Sequence, residues 1–236
     1  MLVAAAVAPS APLLVPDVAA GAAPELDALR TACSAAVSVL AAARPDRLVV
    51  IGPADEDGRG PHLQGATGSF RGFGVDREVR LGAGVDTPGR QLPPSLAVGA
   101  WLLEWTGWAA APVEGFGVGE PLAADRCAQV GRELAAGRER TALLVMGDGS
   151  ACRTLKAPGY LDERAAGFDA QAARALGAAD TAALLALDEK LARELQAAGR
   201  APWQVLAGAG EGVGLGGELL YDEAPYGVGY SVATWS

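Results

Sequence analysis

With 236 residues, half of them apolar and a fifth charged, the chain has the composition of a globular protein of one α/β domain and not of a disordered one. A formal charge of −9, a pI of about 4.7 and no cluster of Lys or Arg argue against a nucleic-acid partner. Three scattered cysteines (Cys33, Cys127, Cys152) form neither a CxxC pair nor a disulfide framework, so a reducing, cytoplasmic setting is expected.

Residues 2–7 read as a first buried strand. Pro9, Pro12 and Pro16 then force an extended loop, and Pro24 opens a helix over 24–43, where its missing N–H costs nothing. Leu26, Leu29, Cys33, Val37 and Leu40 make one apolar stripe along it. A second buried strand at 47–52 completes a β-α-β unit, whose crossover should be right-handed. Residues 54–68 read as a long polar loop, and 69–75 with 78–81 as an irregular hairpin or edge strands.

Pro93-Pro94 opens a helix to about Trp105, with Leu96, Trp101 and Leu103 inward. A short strand is expected at 109–113, and a helix over 121–137 burying Cys127, Val130 and Leu134. The run Leu143-Leu144-Val145-Met146 makes 141–147 a third strand buried on both faces. Helices are expected at 162–176 and 180–198, the second with Leu184, Leu187, Leu191 and Leu195 on one face. A short helix from Pro202 to Ala207 and strands at 219–221 and 228–233 close the chain. The pattern predicts a mostly parallel or mixed central sheet flanked by helices, with 2–7, 47–52 and 141–147 adjacent in it.

Met1 to Val7 is apolar but lacks a basic n-region and runs into a proline-bounded loop, so no secretory signal is expected. No stretch reaches the roughly 18 apolar residues needed to span a membrane. Abundant Ala and Gly, and Arg in excess of Lys, are expected of a GC-rich bacterial genome.

In an open α/β sheet, ligands bind at the carboxyl ends of the strands. Three strand ends therefore draw the eye: Ser10, Ala54, and the Gly147-Asp148-Gly149-Ser150 loop. Asp148 can accept backbone N–H bonds there or face a ligand. Ser150, Arg153 and Lys156 on the same loop could hold an anion. Asp222-Glu223-Ala224-Pro225-Tyr226 reads first as a turn between the closing strands.

Gly212 to Gly217 matches GxGxxG, but a helix precedes it and a strand follows, so it reads as a loop and not a dinucleotide site. His62, the single histidine, lies in a polar loop and reads as solvated. One histidine excludes every site that needs two, including HExxH zinc and the two-His-one-carboxylate iron triad. No Gly-x-Ser-x-Gly elbow is present. The five tryptophans (101, 105, 108, 203 and 235) are expected in the core or at an interface.

Taken together, these residues resemble a known group. Ala8-Pro9-Ser10-Ala11-Pro12-Leu13-Leu14-Val15-Pro16 resembles the Pro-His-x-Pro-x-Leu-x-x-Pro opening of the class III extradiol dioxygenase superfamily. That superfamily includes the catalytic B (β) subunit of protocatechuate 4,5-dioxygenase and the MEMO-like proteins. Asp46 to Pro53 resembles its second strand, which ends in Ser-Pro-His, and Gly147 to Ala151 resembles Gly-Asp-x-Ser-His. Phe168-Asp169 with the leucine-rich helix after it, and Tyr226-Gly227-Val228-Gly229-Tyr230, fall in the expected order.

The resemblance covers nearly the whole chain. It implies Fe(II) held by two histidines and a later carboxylate or thiol, with a third histidine in acid-base chemistry. Here those histidine positions are Ser10, Ala54 and Ala151, while Glu223 lies near the place of the last ligand. Alanine has no donor atom and a serine hydroxyl is a poor ligand for Fe(II), so the iron site is expected to be gone, with no metal or other cofactor in its place.

The expected function is a diverged, non-catalytic member that binds a small molecule or a protein partner in the old cleft, with Ser10, Ala54, Asp148, Ser150, Ala151 and Tyr226 around it. The alternatives are an enzyme with a repurposed site at Asp148 and Glu223, with His62 as a further candidate, and an active ring-cleaving dioxygenase. A homo-oligomer is compatible with all three.

Overall fold

The computed structural model describes residues 1–84 and 90–236. In chain order its regular elements are β1 (Leu2–Ala8), α1 (Pro16–Ala19), α2 (Asp27–Ala42), β2 (Arg47–Pro53), β3 (Gly60–His62), β4 (Thr67–Ser69), β5 (Glu78–Arg80) and α3 (Pro94–Trp105). They continue as β6 (Val113–Val118), α4 (Ala124–Leu134), β7 (Thr141–Met146), α5 (Ala165–Gly177), α6 (Thr181–Leu185), α7 (Glu189–Glu194), α8 (Arg200–Gly210), β8 (Gly217–Glu223) and β9 (Tyr230–Trp235). Seven strands form one mixed sheet in the order β3-β6-β2-β7-β1-β9-β8, and β4 pairs with β5 in a small second sheet. The four central strands β6, β2, β7 and β1 are parallel. β3, β9 and β8 run antiparallel to their neighbours at the two margins.

The unbroken apolar runs are explained by two cores, one on each face of the sheet. Ala142, Leu144 and Met146 of β7 join Leu48 and Val50 of β2 and the stripe of α2 on one face, where α3 also packs. Leu143 and Val145 join Val49, Ile51 and Val7 on the other, under residues of α4, α5 and α8. Each strand therefore alternates between two apolar environments and needs no polar face. Among the described residues, no helix is long and apolar enough to cross a membrane.

The three buried strands and the helix of residues 27–42 stand close to their expected limits. Other expectations need correction. The helix expected at 180–198 is two helices, because Asp188 caps a new one: its carboxylate accepts the Leu191 N–H at 2.8 Å, as Asp180 accepts that of Ala183 at 2.9 Å. Leu184, Leu187 and Leu195 are buried all the same. The strand expected at 109–113 begins only at Val113 and runs to Val118.

Its glycines hide it, and they are there because the chain after β2 crosses closely. A Cβ on Gly117 would lie 2.1 Å from the Gly58 carbonyl oxygen. That crossing segment is not all loop, since Gly60 to His62 pairs with β6 as an edge strand. Pro61 is tolerated there because an edge strand has no partner on its outer side. The Gly212–Gly217 stretch is, as expected, no dinucleotide turn: it leads from a helix into a strand, which begins at Gly217.

Helices α4 and α8 touch backbone to backbone. A Cβ on Gly131 would lie 2.0 Å from the Val205 oxygen, and one on Gly208 would lie 2.1 Å from the Ala128 oxygen. Gly131→Ala should therefore lower unfolding stability by about 1–3 kcal/mol, because the helices must separate. Gly167→Ala, on an exposed turn of α5 with nothing within 4 Å of the added methyl, should raise it by about 0.5–1 kcal/mol. Urea unfolding of both variants checks the pair; equal effects would show that the contact does not set the helix spacing.

Candidate ligand cleft

The Gly147-Asp148-Gly149 loop is shaped by what surrounds it. A Cβ on Gly147 would sit 2.6 Å from the Cα of Gly199, and one on Gly149 would sit 2.7 Å from the carboxylate of Asp169. The loop is anchored at both ends: the Gly147 N–H donates to Ala8, Gly149 to Gly229, and Gly199 donates to the Asp148 carbonyl at 2.7 Å. Between two obligatory glycines, the Asp148 side chain turns toward β1. Its Oδ1 accepts the Ser10 N–H at 2.9 Å and its Oδ2 accepts the Ser10 hydroxyl at 3.0 Å. Burial pushes the Asp148 carboxyl up from 3.8 to about 6, against the two Ser10 bonds, which favour the charged form. Tyr230 of β9 is buried nearby, and its phenol is held high by burial and then by the Asp148 charge.

Ser10 and Ala54 line one cavity of about 380 Å³, together with Pro53, Asp55, Arg59, Pro94, Ser95, Glu120 and Pro121. It lies where the carboxyl ends of β1, β2 and β6 meet the first turn of α3. Ser95 is buried and donates its hydroxyl proton to the Pro53 carbonyl at 2.6 Å. It fits over Gly52, where a Cβ would come within 2.6 Å of the Ser95 Oγ. Arg59 lies along Gly119, where a Cβ would be 2.6 Å from its Nε.

The wall at Glu120 and Pro121 is tied down by the buried Arg200, which donates to the carbonyls of Leu122 at 2.6 Å and of Glu120, and to Gln204. His62 is buried on β3 instead of solvated. A ring nitrogen bonds the Gly58 carbonyl at 2.8 Å, and burial lowers its pKa, so His62 is a neutral brace for the turn that carries Arg59.

The other expected residues sit elsewhere. Asp148 does not line the cavity; it stands behind Ser10. Ser150 is fully buried and bonds Asp169 through its N–H and its hydroxyl, both at 2.7 Å, and Arg153 adds a third donor at 3.0 Å. The anion expected at Ser150 and Arg153 is thus the protein's own carboxylate. Lys156 is not among those donors. Ala151 is held inside the same loop by Leu195 and Gly159.

The Tyr226 hydroxyl donates to Glu25 at 2.9 Å, and Glu223 is exposed on the edge strand β8, accepting from Tyr221 at 3.2 Å. β8 lies three strands from β7, roughly 14 Å across the sheet, so Asp148 and Glu223 do not form one site. Asp55, Arg59, Ser95 and Glu120 were not singled out from the sequence. The usable signals were Asp55 beside the Ala54 strand end and Ser95 at a helix start after two prolines. The three cysteines are buried and unpaired, with thiols pushed up by burial to about 12 in Cys33 and about 11 in Cys127.

The residues do not fit Fe(II). The Ser10 hydroxyl is a poor ligand for Fe(II), Ala54 offers no donor atom and Glu223 lies elsewhere. Among the described residues, no three His, Cys, Asp or Glu side chains gather around one point.

No protein-family model and no curated protein matches the chain. Among solved structures it is similar to uncharacterized protein JW3007 from Escherichia coli K12, with a TM-score of 0.61, 14% identity and 99% of each chain covered. At that identity the likeness speaks for the fold alone.

The raised Asp148 carboxyl makes stability depend on pH. Its contribution to folding is fully present below the ordinary value of 3.8 and is lost as pH rises through about 6, where the desolvated carboxyl must ionise. Asp148→Ala leaves the Ser10 N–H and O–H without acceptors and should cost about 1–3 kcal/mol. Asp148→Asn can keep both contacts with the Ser10 hydroxyl reversed, so it should cost little above about pH 7 and should flatten the pH dependence between about 4 and 6. Urea titrations of the three proteins across this range check it. An Asn variant as unstable as the Ala variant would mean that the charge, and not the pair of bonds, holds Ser10.

Proposed function

We propose that the chain is a diverged relative of the class III extradiol dioxygenases, without Fe(II) ring-cleavage activity, that binds a small molecule in the cavity at the carboxyl ends of its parallel strands. The observation that carries this reading is that Ser10 and Ala54 line one cavity of about 380 Å³. These are two of the positions where the resemblance expects imidazole ligands. A volume of this size suits a small metabolite. Its walls are fixed by β1, β2, β6 and α3, so the space does not depend on a metal for its shape. The lining supplies hydroxyls, two carboxylates and a guanidinium, which suits recognition of a polar ligand; it contains no imidazole or thiol.

After anaerobic incubation with Fe(II) and desalting, the protein should hold far less than one iron per chain and should give no ring-opened product from 3,4-dihydroxybenzoate. One iron per chain together with ring opening would overturn the reading. A thermal-shift screen of polar metabolites should find a compound that stabilises the parent but neither Ala54→Phe, which fills the cavity, nor Arg59→Trp, which blocks its exposed rim. Hits unaffected by both variants would place binding outside this cavity.

A further inference from the structure

The hydrogen-bonding sense of the cavity says more about its ligand than its volume does. A serine hydroxyl has one proton to give. Ser10 gives its proton to Asp148 and Ser95 gives its own to the Pro53 carbonyl. Both hydroxyls therefore present only lone pairs to the cavity. Asp55 and Glu120 add two carboxylates to the walls, and the Asp148 charge stands directly behind Ser10. This part of the lining accepts hydrogen bonds and offers none, and its negative charge favours a cation.

The opposite sense comes from Arg59, which has no ion-pair partner among the described residues, and from the first turn of α3. That turn has no side-chain cap at Pro93, and its Pro94 and Ser95 line the cavity. Arg59 and Glu120 reach the cavity from the β6 side of the sheet and Ser10 from the β1 side, with β2 and β7 between.

A purely anionic ligand would meet Arg59 but face Asp55, Glu120 and the Asp148–Ser10 pair. A simple amine would leave Arg59 unanswered. Resting on the reading of this cavity as a binding site, we propose that its ligand is a small zwitterion carrying an ammonium group and a carboxylate, of amino-acid to dipeptide size. The ammonium meets the Ser10 and Ser95 oxygens and the wall carboxylates, and the ligand carboxylate meets Arg59. Below about pH 6 Asp148 takes up a proton. It can then donate to the Ser10 oxygen and occupy the lone pair that the ammonium uses, so binding should weaken as pH falls through that value.

The test is calorimetry and thermal shift on the full chain with phenylalanine, glutamine, lysine and glycylglycine, each beside its deaminated acid and its decarboxylated amine. At least one zwitterion should bind at pH 7.5, and its two truncated partners should each bind tenfold or more weakly, since each loses a charge-assisted contact. Arg59→Gln should weaken the zwitterion tenfold or more and leave the amine unchanged. Truncated acids that bind as well as their zwitterions, with binding lost in Arg59→Gln, would overturn the zwitterion and leave the cavity reading standing. A panel in which nothing binds would also overturn it, while the cavity reading is decided separately by its iron, ring-opening and blocking tests.

Discussion

Two carboxylates, each gripped by the N–H and the hydroxyl of one serine, hold the carboxyl edge of this sheet together. Ser10 beyond β1 grips Asp148 beyond β7. Ser150, two residues further on, grips Asp169 of α5. The same small device thus links β1 to β7 and β7 to α5 through residues far apart in sequence. A serine suits it because its N–H and O–H can converge on the two oxygens of one carboxylate, and because it is small enough for the crowded end of a parallel sheet. The flanking Gly147 and Gly149 are the other half of the device: a Cβ at either would collide with Gly199 or with Asp169.

The two pairs differ in charge balance, and that separates their roles. Asp169 also receives Arg153, so its buried charge has a cation beside it. Desolvation raises the pKa of Asp148, and the serine alone does not offset it. Asp169 is therefore well placed as a structural anchor that fills its own anion site. Asp148 is the group whose charge can respond to conditions, and it touches a residue that lines the cavity. The Asp148 charge fixes the direction of the Ser10 hydroxyl proton.

Much of this architecture is legible in the sequence, because the signals were strong and local. Runs such as Leu143 to Met146, bounded by turn residues, read as strands buried on both faces, and the spacing of Leu29, Cys33, Val37 and Leu40 reads as one side of a helix. What escaped was decided by contacts between distant segments. β6 is written with glycines because the chain after β2 passes over it, and nothing near Gly115 or Gly117 announces that crossing. The break between α6 and α7 lies at Asp188, an N-cap residue set inside a leucine stripe that reads as continuous. At the site, Ser10, Ala54 and Asp148 could be selected because strand ends are where ligands bind. The partner of Ser150 could not, since no spacing rule joins residue 150 to a carboxylate nineteen positions later. Arg59 escaped for the same reason: its place depends on Gly119 of another connection.

Strand ends that border a cavity must be kept in register, and at this edge contacts within the protein do so. Here the end of β1 is tied to the end of β7 by the Ser10–Asp148 pair, and the turn after β2 by the His62–Gly58 bond. These contacts act within the protein and need no ion. They also keep the cavity beside Ser10 and Ala54 open: its floor belongs to the sheet and its rim to Arg200 and His62. Such a site is a polar space whose hydrogen-bond directions are set from behind. The residue that sets its polarity is Asp148, one bond removed from the cavity.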